Sequence, residues 1–266
     1  MEKFVMAAGT ALRISDTLKG GTTVVLLHGY LESLEIWGDF MKELAMHYRV
    51  LAIDIPGMGI SQVRGEVHTM EFLADVLKGV LDKQGVERCF VVGHSMGGYV
   101  AEAFAAKYAS MLQGLVLFHS TPNPDTEEKR RTAAGRSELV RADKKELIAE
   151  LFCSERICTG KPPTAPCSDR ATVELISMSD SDGVSGRPER IDPAGRSERN
   201  AAKSERAATL HLRSGKTSLF PWRPLRRLSP HSPKPKSHGS TIRAIWDLSR
   251  PEQALAILTG FIDRYR

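Results

Sequence analysis

Along residues 4–120, apolar and polar positions alternate between two periods. Thr23-Val24-Val25-Leu26-Leu27 is a continuous run ending at His28-Gly29, which predicts a buried parallel strand entering a loop. Trp37, Phe40, Met41 and Leu44 fall at helical spacing within 37–47, and Tyr48 to Asp54 reads as the next strand. Phe72, Leu73, Val76, Leu77, Val80 and Leu81 share one side of a helix that Gly85 ends. Cys89-Phe90-Val91-Val92 predicts a third strand, 97–108 a helix, and Leu115-Val116-Leu117-Phe118 a fourth strand. Strands separated by helices of this length imply a doubly wound, mostly parallel α/β sheet with right-handed crossovers.

The regular signal then weakens. Residues 121–150 are charged and helix-prone, and from 151 to 249 the pattern supports no strand beyond a weak run at Val173-Glu174-Leu175-Ile176. Pro251 to Ile262 recovers as a helix, with Pro at its start and Ala254, Leu255, Leu258, Phe261 and Ile262 on one face. Three segments result: a core half over 1–150, an irregular basic stretch over 151–249, and a terminal helix over 250–266.

Composition sharpens that division. The net charge of +5 belongs to 151–249, which holds 17 Lys and Arg against 10 Asp and Glu, while the remainder carries 20 against 22. The same stretch contains ten of the fourteen prolines and three of the four cysteines. The cysteines form no CxxC pair and no metal-ligand spacing, so neither a metal nor a disulfide framework is expected. With no run of about 20 apolar residues and no secretory h-region, the expectation is a cytoplasmic chain without a membrane span.

Chemistry concentrates at Gly93-His94-Ser95-Met96-Gly97, a G-x-S-x-G between a strand and a helix. Such a turn lifts the serine hydroxyl above the sheet edge, and its glycines let backbone pass close by. The alternative is a glycine-rich turn with an incidental serine. His28-Gly29-Tyr30 can supply a backbone N–H from Tyr30 that, with the N–H of Met96, would hold an oxyanion. His28, Gly29, Gly93, His94 and Gly97 read as loop and elbow support, with His28 and His94 structural rather than basic. Asp54, in Asp54-Ile55-Pro56-Gly57-Met58-Gly59, reads as a loop-fixing acid.

Residues 4–120, with the final helix, resemble the α/β-hydrolase superfamily: an N-terminal hairpin, the HG loop with Trp37 downstream, the DxPGxG turn and the GHSMGG elbow. The resemblance implies Ser95 as nucleophile, an acyl-enzyme, a small ester or thioester substrate, a cap beginning before residue 150 and no cofactor. Within the superfamily, Asp at the nucleophile marks dehalogenases and epoxide hydrolases, so Ser95 points to the ester, thioester or lipid-ester branch.

The family's acid and histidine loops have no match here. Ala244 stands near where the histidine belongs, and His211, His231 and His238 have no predicted strand to position them. Asp125 lies near an alternative acid position of the family, but Pro122-Asn123-Pro124 favours reading it as a loop residue. Two compensating frameshifts would account for the gap. Read from the third base of each preceding codon, 244–247 permits Gly-His-Met-Gly, and 215–223 permits Gly-Lys-Asp-x-x-Ile-Pro-Val-Glu. A divergent insert or a disordered basic linker is the alternative. The functional expectation is an impaired serine esterase, and the competing one a catalytically dead scaffold that only binds. A nucleic-acid-binding tail is disfavoured because Phe220 and Trp222 stand nearly alone as aromatics in the basic stretch.

Overall fold

The computed structural model describes residues 1–65, 68–120, 208–213, 216–221 and 251–266, and the single positions 131, 135, 139 and 142. The expectations for 121–150, for Val173 to Ile176, and for Asp125, His231, His238 and Ala244 lie outside these residues or, within 121–150, touch only those single positions.

Glu2–Ala7 (β1) and Thr10–Asp16 (β2) form the antiparallel hairpin, and Thr23–Leu27 (β3) and Arg49–Ile53 (β4) are the next two strands. Cys89–His94 (β5) and Leu112–Phe118 (β6) follow. Three helices separate them: Gly38–Leu44 (α1), Met70–Lys83 (α2) and Met96–Lys107 (α3). The helix predicted over 37–47 is shorter than that: a 3-10 turn at Leu34–Trp37, capped by Ser33, runs straight into α1, which ends at Leu44. Thr69 caps α2 by accepting the Phe72 N–H, a signal of helix entry in the sequence itself.

Two strands lie within 151–249 where the sequence pattern supported none beyond the weak run at 173–176. Ala208–Arg213 (β7) runs parallel to β6, and Lys216–Pro221 (β8) turns back antiparallel along it. His211 therefore does sit on a strand, opposite Leu117. The apolar positions Leu210 and Leu212 alternate with polar ones, too short a pattern to predict a strand alone. Pairing with β6 and complete burial of both leucines supply what propensity does not.

Among the described residues the sheet has eight strands in the order β1-β2-β4-β3-β5-β6-β7-β8. The run from β4 to β7 is parallel throughout. Both faces are covered. On one, α2 and α3 bury Leu73, Val76, Leu77, Val80 and Phe104 against Val25, Val91 and Leu115. On the other, α1 and the last helix, Pro251–Tyr265 (α4), bury Phe40, Leu44, Leu258 and Phe261 against Val24, Phe90 and Val116. Two-sided burial explains why β3 and β5 read as unbroken apolar runs. After β3 the chain moves to β4 on one side, then returns to β5 on the other. The crevice at the carboxyl ends of β3 and β5 is the topological switch point, where ligands bind in sheets of this kind.

Candidate active site

At that crevice β5 ends in His94 and α3 begins at Met96, leaving Ser95 as the hinge with φ 50° and ψ −113°. This is an unfavourable conformation for a residue with a Cβ. Three bonds hold it: the Ser95 N–H donates to the Phe118 carbonyl (3.0 Å), and the Ser95 carbonyl accepts from the Gly98 N–H (3.1 Å) and from Ser120 Oγ (2.8 Å). Ser95 itself is exposed. The turn closes because its glycines lack side chains. A Cβ at Gly97 would lie 2.5 Å from the carbonyl oxygens of Leu27 and His28, and one at Gly93 would run into the Gly97 carbonyl.

Met96 is the first residue of α3, so its N–H has no acceptor within the helix. The first turn of α3 carries no acid, and its dipole favours negative charge beside Ser95. Tyr30 follows Gly29 in the loop after β3, half-buried and packed on the α2–α3 core.

Of the histidines near the elbow, His119 is exposed one residue past β6, its ring 6.2 Å from that of His94, while His28 and His94 are both committed. His28 is completely buried, its Nδ1 donating to the Gly29 carbonyl (2.7 Å) and its Nε2 accepting the Ile55 N–H (2.9 Å). That assignment requires a neutral ring, and burial accordingly pushes the His28 pKa below the usual histidine range, outweighing the pull of Asp54. His94 points its Nδ1 at Glu32 Oε2 (2.9 Å), with its ring edge-on to Trp37 and Phe118. Asp54, also fully buried, accepts the N–H groups of Leu34 (2.7 Å) and Ile60 (3.2 Å), with the Arg13 guanidinium 3.7 Å away.

Sequence reasoning passed over Glu32. Its Oε2 also accepts the Gly29 N–H at 2.7 Å, so one carboxylate oxygen reaches both the HG loop and the elbow. The available signal was its place three residues after Gly29, the spacing at which a capping-box glutamate reaches back to an N–H. Among the described residues, no side chain is hydrogen bonded to the Ser95 hydroxyl, no three potential ligands gather to hold a metal, and no helix is long and apolar enough to cross a membrane.

The chain matches the family model described as alpha/beta hydrolase fold over residues 22–140. It is 41% identical over 120 residues to the 2-hydroxy-6-oxononadienedioate/2-hydroxy-6-oxononatrienedioate hydrolase of Paraburkholderia phymatum, covering 42% of each chain. It is 35% identical over 103 residues to the pimeloyl-[acyl-carrier protein] methyl ester esterase of Aeromonas hydrophila, covering 38% of this chain and 39% of that one. The matched region thus spans about two fifths of the length of these relatives. Among solved structures, a thermophilic esterase from Thermogutta terrifontis superposes with a TM-score of 0.58 at 30% identity, over 71% of this chain and 73% of that one.

Proposed function

The chain belongs to the α/β-hydrolase superfamily, and from that premise we propose that it is a serine hydrolase of carboxylic esters or thioesters working through an acyl-enzyme at Ser95. The observation that carries this reading is the exposed serine at φ 50° on the turn from β5 into α3, beside the loop bearing Tyr30. In the reaction, Ser95 Oγ adds to the substrate carbonyl, and the N–H groups of Tyr30 and Met96 take the developing oxyanion. The leaving alcohol or thiol departs with a proton, and water then releases the acid and regenerates Ser95. Both the Aeromonas relative and the Thermogutta structure are named as esterases, which supports the substrate class.

A serine hydroxyl needs a positioned base. His28 and His94 are occupied elsewhere, no hydrogen bond among the described residues joins the exposed His119 to the Ser95 hydroxyl, and we propose that the frameshift reading of 151–249 explains the missing base and acid and makes this chain a weak catalyst. The same observation favours the second reading, a scaffold that binds without turning over. Hydrolysis of a p-nitrophenyl ester panel by the wild type and by Ser95→Ala separates the two. Loss of turnover in Ser95→Ala supports the first reading, equal turnover in both proteins overturns it, and ligand binding without turnover in the wild type leaves the second. Resequencing the coding DNA across residues 121–250 tests the frameshift directly, because an uninterrupted original frame removes it.

A further inference from the structure

β3 and β5 are registered up to Leu27 and Gly93, and beyond that pair no ladder joins them. Past this point the two chains part, one toward Gly29 and Tyr30, the other toward His94 and Ser95. Glu32 Oε2 spans the gap, accepting the Gly29 N–H at 2.7 Å and facing His94 Nδ1 at 2.9 Å. Glu32 Oε2 already accepts the Gly29 N–H, which leaves His94 Nδ1 as the donor in the second contact. Each bonded residue immediately precedes one that matters: Gly29 precedes Tyr30, and His94 precedes Ser95. The carboxylate fits there because residue 29 has no side chain. A Cβ on it would lie 2.7 Å from Glu32 Oε2 and 3.1 Å from His94 Nδ1. The His94 ring is held in turn by Trp37 and Phe118, with centroids 6.4 and 5.9 Å away.

We propose that Glu32 is a positioning residue that sets the Tyr30 N–H against the Ser95–Met96 elbow, and so fixes the width of the oxyanion site. The proposal rests on the serine-hydrolase reading for its catalytic consequence, though not for the clamp itself. Burying a carboxylate is costly, and its charge-assisted bonds offset that cost only in a set geometry. An apolar side chain could fill the space, but it would leave the two loops unlinked.

The test uses the full chain as wild type, Glu32→Ala, Glu32→Gln and Ser95→Ala, with a fluorophosphonate as acylation mimic followed by intact mass, and amide hydrogen exchange read on peptides covering 28–33 and 93–97. Glu32→Ala should label about 10²-fold more slowly than wild type, the scale of loss from a small misplacement of reacting groups. Glu32→Gln, whose amide oxygen can still accept both bonds, should fall between them. Labelling of Glu32→Ala at the wild-type rate, below the melting temperature of both, overturns the proposal, because a merely structural residue would lower the melting temperature and leave that rate unchanged. Absence of labelling in the wild type, or equal labelling of Ser95→Ala, sinks the serine-hydrolase reading instead, and exchange then decides the clamp. Faster exchange confined to 28–33 and 93–97 in Glu32→Ala supports it, and unchanged exchange overturns it. Should Glu32→Ala not fold, Glu32→Gln carries the test, and labelling and exchange both identical to wild type overturn the proposal.

Discussion

Ser95 and His119 stand beside each other at the carboxyl ends of β5 and β6, one residue past the registered pair His94–Phe118, and both have positive φ, 50° and 48°. Each also extends the ladder: the Ser95 N–H donates to Phe118, and the His119 N–H donates to the Leu212 carbonyl on β7 (2.8 Å). Two adjacent residues of the row that crowns the sheet thus carry backbone strain. A non-glycine residue in such a conformation costs about 1–3 kcal/mol. Ser95→Gly should be more stable than Ser95→Ala by about 1 kcal/mol, the relief of strain less the extra chain entropy of glycine. Urea denaturation of the two variants checks this, and an order with Ala above Gly would contradict it.

The elbow's close approach should be intolerant of a single methyl group. Gly97→Ala places a Cβ 2.5 Å from two backbone carbonyls, that of Leu27 at the end of β3 and that of His28 just after it, which cannot move aside alone. A loss of about 3 kcal/mol is expected. Gly20→Ala, where nothing lies within 4 Å, should stay within about 0.5 kcal/mol of wild type. Equal denaturation midpoints for the two variants would refute the packing account.

The last helix is tied to the sheet by Tyr48, which is almost wholly buried and whose hydroxyl donates to Asp263 Oδ1 at 2.9 Å. Burial and that carboxylate together push the Tyr48 pKa up to about 12. Tyr48→Phe should cost about 1 kcal/mol and speed amide exchange in α4 ahead of the rest of the chain. Uniform exchange across the chain would show that the bond does not anchor α4.

Acid should destabilise the protein in two stages. His28 is held neutral by burial, so its folded pKa lies below the ordinary 6.5, and the unfolded chain takes up the proton first as pH falls. The stability it contributes is complete above pH 6.5 and is lost as pH drops toward the folded value. Burial alone would raise the Asp16 pKa, but the hydrogen bonds from Arg49 and from the Leu18 N–H outweigh it and hold it below the ordinary 3.8. Its contribution is therefore complete above that pH and is lost below it. Thermal melts from pH 8 to pH 3 should show the first decline below 6.5, while Asp16→Asn removes only the decline near 3.8. A melting temperature that is flat from pH 6.5 to 5 would exclude the His28 contribution.

What could be read from residues 1–120 alone was whatever is local in the chain. The buried strands β3 and β5, the helix face of α2 and the strand–GHSMG–helix turn each show in a few consecutive residues, because side-chain period and turn chemistry are set by neighbours in sequence. Lone placements depended on partners far along the chain. β7 is a strand because β6 lies beside it and its two leucines are buried, a condition that ATLHLR does not carry within itself. Glu32 looked like any loop carboxylate until the sheet brought His94 to it across 62 positions. Propensity fixes a residue's conformation one turn at a time, but where a carboxylate finds its donors is decided by which strands the crossovers place side by side, and only the folded sheet contains that.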